Sequence, residues 1–101
     1  MKTDYQYPLS LDWSVQEMVF VTNFYTKIEQ AYEVGVRVEE LLEHYQKFKT
    51  VVRTIGEEKR LGKQFETVSG YSIYQCVKMA KEKQQGKIKM ERKSYGKKSR
   101  M

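Results

Sequence analysis

Apolar residues in this chain return at steps of three and four rather than two, and they do so in four separate stretches. In the first, Val15, Met18, Val21, Phe24, Tyr25, Ile28, Ala31 and Tyr32 fall on one broad face, the spacing of an amphipathic helix. Ser14 stands before it as an N-cap with Glu17 three residues on, the capping-box pair. Trp13 and Met18 have the spacing of a hydrophobic staple. Upstream, the Pro8 ring crowds a helical Tyr7, so the chain approaches as an extended arm. Gly35 supplies a left-handed stop. The pattern predicts a helix over about residues 15–33.

A second stripe, Leu41, Leu42, Tyr45, Phe48 and Val52, predicts a helix over roughly 38–52. Its acids Glu39, Glu40 and Glu43 lie in the first half, and Lys47, Lys49 and Arg53 toward the end. A helix dipole favours that order by about 0.3–1 kcal/mol per well-placed charge. Thr54 and Glu57 repeat the capping-box pattern ahead of a narrow stripe of Leu61, Phe65 and Val68. Gly56 and Gly62 each weaken this third helix by about 1 kcal/mol relative to alanine, so it should depend on its neighbours. Gly70 ends it, and Ser72 caps a fourth helix with Gln75 in the box position. There Ile73, Val77 and Ala80 form the stripe, which fades near Lys83-Gln84-Gln85-Gly86. Alternation with period two is brief, at Lys87-Ile88-Lys89-Met90, without turn signals on both sides. The expected fold is therefore all-α: a single small domain of four helices, a bundle or an angled array, over residues 1–85. An extended N-terminal arm precedes it, and a basic, flexible tail over residues 86–101 follows.

Composition agrees with one globular domain. The chain has 101 residues, 40% hydrophobic and 32% charged, enough to hold a core without disulfides or metal. No apolar run approaches the roughly 18 residues of a membrane helix, and Met1-Lys2-Thr3-Asp4-Tyr5 leads into no signal segment. Cys76 is the one cysteine, so no internal disulfide forms and a cytoplasmic location is expected. The net charge of +6 is unevenly placed: seven of the nineteen basic residues and one of the thirteen acids lie in residues 84–101. The body is neutral, and the basic character belongs to the tail.

The chemistry offered by these elements is sparse. Residues 57–83 resemble a degenerate helix-turn-helix, with Gly70 as the central glycine and Phe65, Cys76 and Met79 at inward positions. Glu66 then occupies the close helix crossing, where an unpaired buried carboxylate costs several kcal/mol. The outer face offers Gln75, Lys78, Lys81 and Glu82, and no arginine to take guanine. A joint between packed helices accounts for the same residues, and the choice turns on whether Glu66 is wet. In the tail, Lys87, Lys89, Arg92, Lys93, Lys97, Lys98 and Arg100 form a candidate polyanion-binding set for nucleic acid or anionic membrane, and Tyr95 can stack on a base. A solvated tail with weak low-salt binding is the plainer reading, because the charges follow no helix face. His44 and Cys76 lack the companions that a metal site or an activated nucleophile needs. Glu39, Glu40 and Glu43 read as a wetted helix face. No phosphate loop, nucleophile elbow or cysteine pair is present. No catalytic residues, no metal ligands and no organic cofactor are therefore expected, and the chain is read as a non-enzyme. Eight tyrosines are more than so small a core can bury, and Tyr5, Tyr7, Tyr71 and Tyr74 are expected to reach the surface. Tyr71, Tyr74 and Lys78, around the Ser69 to Tyr74 turn, form the candidate partner-binding surface.

One resemblance covers about residues 7–83. It rests on Tyr7-Pro8-Leu9, Trp13-Ser14, Glu17, Ala31-Tyr32-Glu33, Gly35-Val36, Leu41-Leu42 and Tyr45. It continues through Phe48-Lys49, Glu57-Glu58-Lys59, Phe65-Glu66, Ser69-Gly70-Tyr71-Ser72 and Val77-Lys78. With this set the chain resembles the YktA-like family of small uncharacterised proteins of Bacillus-type bacteria. That resemblance implies an all-α fold and carries no activity, cofactor or catalytic residue. Arg53 and the basic tail depart from the family's pattern. The expected function is that of an uncharacterised, non-enzymatic, cytoplasmic protein-interaction module, with an unidentified protein partner and homo-oligomerisation left open. The alternative is a nucleic-acid-associated protein acting through the tail or the degenerate helix-turn-helix.

Overall fold

The computed structural model describes residues 5–91. Four helices carry the chain: α1 (Val15–Glu33), α2 (Val38–Val51), α3 (Ile55–Ser69) and α4 (Ile73–Lys83). Two short strands, β1 (Val36–Arg37) and β2 (Lys87–Ile88), pair antiparallel with Val36 opposite Ile88. The all-α expectation holds, and the helix limits fall within a residue or two of those predicted.

Local chemistry sets each helix end. Ser14 and Glu17 form the reciprocal box, Glu17 N–H donating to Ser14 Oγ at 3.2 Å and Ser14 N–H to Glu17 Oε1 at 2.9 Å. Thr54 and Ser72 accept from the third helical N–H of α3 and α4, at 3.1 Å each. The reciprocal half of the expected box at Thr54 is not made; the Glu57 carboxylate lies instead 3.9 Å from Arg60. Gly70 closes α3 in the left-handed region at φ +82°. Gly35, at φ +103°, turns the chain from α1 into β1, where an added Cβ would stand 3.3 Å from Lys87 Cε and 3.4 Å from the Ile88 carbonyl. Glycine is required there for conformation and for space.

The helix that the sequence leaves uncapped is α2, and its cap comes from far along the chain. Arg37 makes no side-chain cap; Val38 N–H donates to the Gly86 carbonyl at 2.8 Å. Met90 N–H donates in turn to the Ala31 carbonyl in the last turn of α1, also at 2.8 Å. Residues 86–90 thus satisfy one orphan donor and one orphan acceptor of two different helices. Ile88 and Met90 are buried in the core, while Lys87 and Lys89 stay exposed. Residues 87–90, read in the sequence as the start of the tail, are therefore part of the packed fold. The alternation of Lys87 to Met90 has its physical cause here, one face on the core and one in water. Of the candidate tail residues, Arg92, Lys93, Lys97, Lys98 and Arg100 lie outside the described residues.

The core is aromatic at its centre. Phe24 packs on Phe48 with ring centroids 4.6 Å apart, and Tyr25 stacks on Phe65 at 4.7 Å. Val21, Ile28 and Ala31 of α1, with Leu41 and Val52, extend it, and Leu61, Cys76, Val77 and Ala80 bring in α3 and α4. The N-terminal arm crosses this core as a strap. Tyr25 Oη donates to the Pro8 carbonyl at 2.9 Å, and Tyr7 lies 5.2 Å from Tyr25. Glu29, only 1% exposed, accepts from the hydroxyls of Tyr5 and Tyr7. Tyr5 and Tyr7, expected at the surface, are half-buried for this reason. Val15 and Val68 depart the other way: both were counted on apolar stripes, and both are exposed. The stripes are narrower at these two helix ends than the spacing suggests.

Candidate functional site

The 69–72 corner is bolted to α1. Tyr32 Oη accepts from Ser72 N–H at 3.2 Å, and its ring stacks on Tyr71 with centroids 4.5 Å apart. Tyr71 Oη donates to Glu33 at 2.9 Å. Ser69 Oγ donates to the Phe65 carbonyl at 2.7 Å and accepts from Tyr71 N–H at 3.0 Å. Glu66 is exposed. The carboxylate is wet, so it does not sit in a close crossing of α3 and α4.

In place of a close crossing, a groove of about 610 Å³ lies between those two helices. Ile55, Lys59, Gly62, Lys63 and Glu66 line it from α3, spaced as one face of that helix. Ile73, Tyr74, Val77, Lys78 and Lys81 line it from α4, and Tyr45 of α2 closes it below. The deepest groups are apolar: Ile73 and Val77 are nearly inaccessible, and Tyr45 is 8% exposed. At the rim Ile55 and Tyr74 expose 67% and 69% of their surface. Gly62 stands at mid-wall, where a built Cβ would meet nothing within 4 Å. A smaller cavity of about 440 Å³ lies at the same corner, bordered by Tyr74, Glu66, Gln75 and Glu91.

The electrostatics divide the groove into satisfied and unsatisfied groups. Glu58 is engaged: Tyr45 Oη donates to one oxygen at 2.9 Å, and Lys49 Nζ to the other at 2.5 Å. Burial, and then the bond to Glu58, raise the Tyr45 pKa well above the usual phenol range. Lys81 stands over the Tyr45 ring, 5.2 Å from its centroid. Lys59, Lys63, Lys78 and Lys81 are exposed, and among the described residues none has an acid within ion-pair distance.

Of the residues proposed from sequence, Tyr74 and Lys78 line the groove together. Tyr71 does not join them: its ring is stacked and its hydroxyl engaged, so it serves the joint. Lys87 and Lys89 lie on and beside β2, away from the groove lining. Cys76 is fully buried, and burial pushes its thiol up to about 12, leaving no thiolate near neutrality. Burial, then Lys27 and Lys47, lower the His44 pKa, and its Nδ1 is enclosed without a hydrogen-bond partner. Among the described residues no three His, Cys, Asp or Glu side chains converge as a metal-holding group. No helix among the described residues is long and apolar enough to cross a membrane. Sequence reasoning missed the α3 wall. Its signal was present, in a lysine pair one turn apart and a helix-interior glycine at 62, but Gly62 was read as a weakness of the helix alone.

Fold and surface together define a small all-α domain with a lysine-walled groove. The chain belongs to the UPF0223 family, an uncharacterised protein family whose match spans residues 4–89. It is similar to a UPF0223 protein of Enterococcus faecalis, 58% identical over 87 residues that make up 86% of this chain and 95% of the relative. A UPF0223 protein of Streptococcus pneumoniae is 51% identical over 90 residues, 89% of this chain and 98% of the relative. The family match ends one residue beyond β2, so β2 and Gly86, whose carbonyl caps α2, lie inside it.

Proposed function

We propose that this protein is a non-enzymatic interaction module of the bacterial cytoplasm, and that the α3–α4 groove is its partner-binding surface. The observation that carries this reading is the combination of an apolar floor, lysines that have no acid within ion-pair distance among the described residues, and an exposed Tyr74 in one trough. Exposed tyrosine beside buried aliphatic groups is the composition of an interface centre. Tyr45 and Tyr71, by contrast, have their hydroxyls bound to carboxylates of the fold. Nucleic-acid binding is the competing use of the same lysines. The apolar floor of Ile73 and Val77 suits apolar side chains and offers nothing to a phosphate backbone.

A photo-cross-linking pull-down from cells, comparing wild type with Tyr74→Ala and Lys89→Ala, tests the proposal. Tyr74→Ala should remove the captured protein while leaving the melting temperature within about 2–3 °C, because an exposed side chain contributes within about 0.5 kcal/mol. Lys89→Ala should capture as wild type does. Equal capture by Tyr74→Ala and wild type would refute the groove. Captured nucleic acid, lost steeply as salt rises, would replace protein as the partner.

A further inference from the structure

Resting on the groove as the binding surface, we infer that its occupant is an acidic amphipathic helix of about three turns, laid with its apolar face on the floor and its carboxylates against the lysines. The shape of the groove suits a helix. From Ile55 to Glu66 the α3 wall rises about 16 Å, the length of about three helical turns. The trough is open on its solvent side, whereas a small molecule needs enclosure over about 70–90% of its surface. A helix has an outward half that is polar and stays wet, so an open trough suits it.

Gly62 leaves a gap in that wall. It stands in the middle of α3, where glycine costs about 1 kcal/mol relative to alanine. The fold does not require it, because a Cβ would touch nothing within 4 Å and the backbone is helical. The missing side chain leaves room at the centre of the wall, where an anchor side chain of an incoming helix would lie.

Lys59 and Lys63 on one wall and Lys78 and Lys81 on the other lack acid partners among the described residues; of the three lining acids Glu58 is taken by Lys49 and Tyr45, and the four lysines outnumber the remaining two, Glu66 and Glu82. The sign excludes the chain's own C-terminus: after Glu91 it carries Arg92, Lys93, Lys97, Lys98 and Arg100 and no acid. A second copy offers its acid-rich α2, but those carboxylates are already near cations. Glu39 lies 3.9 Å from Arg37, Glu40 3.4 Å from Lys27, and Glu43 4.0 Å from Lys47.

The test is a displayed library of helical peptides about 14 residues long, with leucine held at i, i+3, i+4 and i+7 and the flanking positions varied, panned against the full chain. The expected clones are net acidic. The deciding variant is Gly62→Leu, which fills the wall and leaves every charge in place, those of the basic C-terminus included. It should weaken the selected peptides by about tenfold or more while melting no lower than wild type. Lys63→Glu combined with Lys78→Glu should turn the preference toward basic clones. Neutral or basic clones that still lose Gly62→Leu would overturn the acidic assignment and leave the groove standing. Acidic clones that bind Gly62→Leu equally well are held elsewhere, and would overturn the inference and the groove together. An empty selection overturns the inference, and the Tyr74→Ala cross-linking result then decides the groove separately.

Discussion

Replacing Gly62 with alanine should stabilise this protein, although it adds a side chain to the wall of the α3–α4 groove. Gly62 lies at mid-helix in α3 with helical backbone, and the added methyl meets no atom within 4 Å. The steric term is therefore close to zero. What remains is helix propensity, about 1 kcal/mol in favour of alanine, expressed largely through the lost freedom of the unfolded chain. Unfolding entropy near 2.1 cal/mol/K per residue gives about 0.2 kcal/mol/K for this chain, so the melting temperature should rise by about 5 °C. Helical circular dichroism during heating, with a urea titration beside it, measures the change. Gly70→Ala is the internal contrast. At φ +82° the same substitution forces a left-handed alanine, costing about 1–2 kcal/mol and lowering the melting temperature by about 5–10 °C. A fall or no change for Gly62→Ala would mean that the wall is filled by something, and the account of the groove would fail with it.

Other outcomes follow from the same contacts. Ile88→Ala should cost about 2–5 kcal/mol in a urea titration, as for a core residue, and a loss below about 0.5 kcal/mol would return β2 to the tail. Tyr7→Phe removes a donor to the buried Glu29 and should cost about 1.5–3 kcal/mol, the range for hydrogen bonds to a charged group; an unmoved urea midpoint would contradict the strap. The lowered pKa of His44 means that the unfolded chain takes up this proton more readily than the folded one. Its contribution to stability is complete above the ordinary value of 6.5 and declines as pH drops through that value toward the lowered folded one. His44→Gln should flatten that part of the plot of urea midpoint against pH, and an identical slope in both proteins would refute the assignment.

Much of the fold was legible because helix signals are local. Ser14 with Glu17, Gly35, Thr54, Gly70 and Ser72 act within four residues of where they stand, and each appears at the helix end where its chemistry places it. The cost of burying Glu66 unpaired was legible too, but only the structure shows that Glu66 is exposed. The joint's true anchor was not, because Tyr32 precedes Ser72 by 40 residues. The same distance problem hid the roles of the tyrosines. Tyr71 and Tyr74 look alike in a composition, yet one is stacked on Tyr32 and the other stands at a rim.

Taken alone, the chain's sequence determined four helices, their ends and an all-α class, since three- and four-residue periodicity and capping are decided between near neighbours. It took the packed chain to bring Ile88 and Met90 into the core, to set the Gly86 carbonyl on α2, to close two arm tyrosines over Glu29, and to leave a lysine-walled trough between α3 and α4. Each of those depends on surfaces brought together from distant segments, where the energy comes from shared burial and paired orphan groups that neither segment displays by itself.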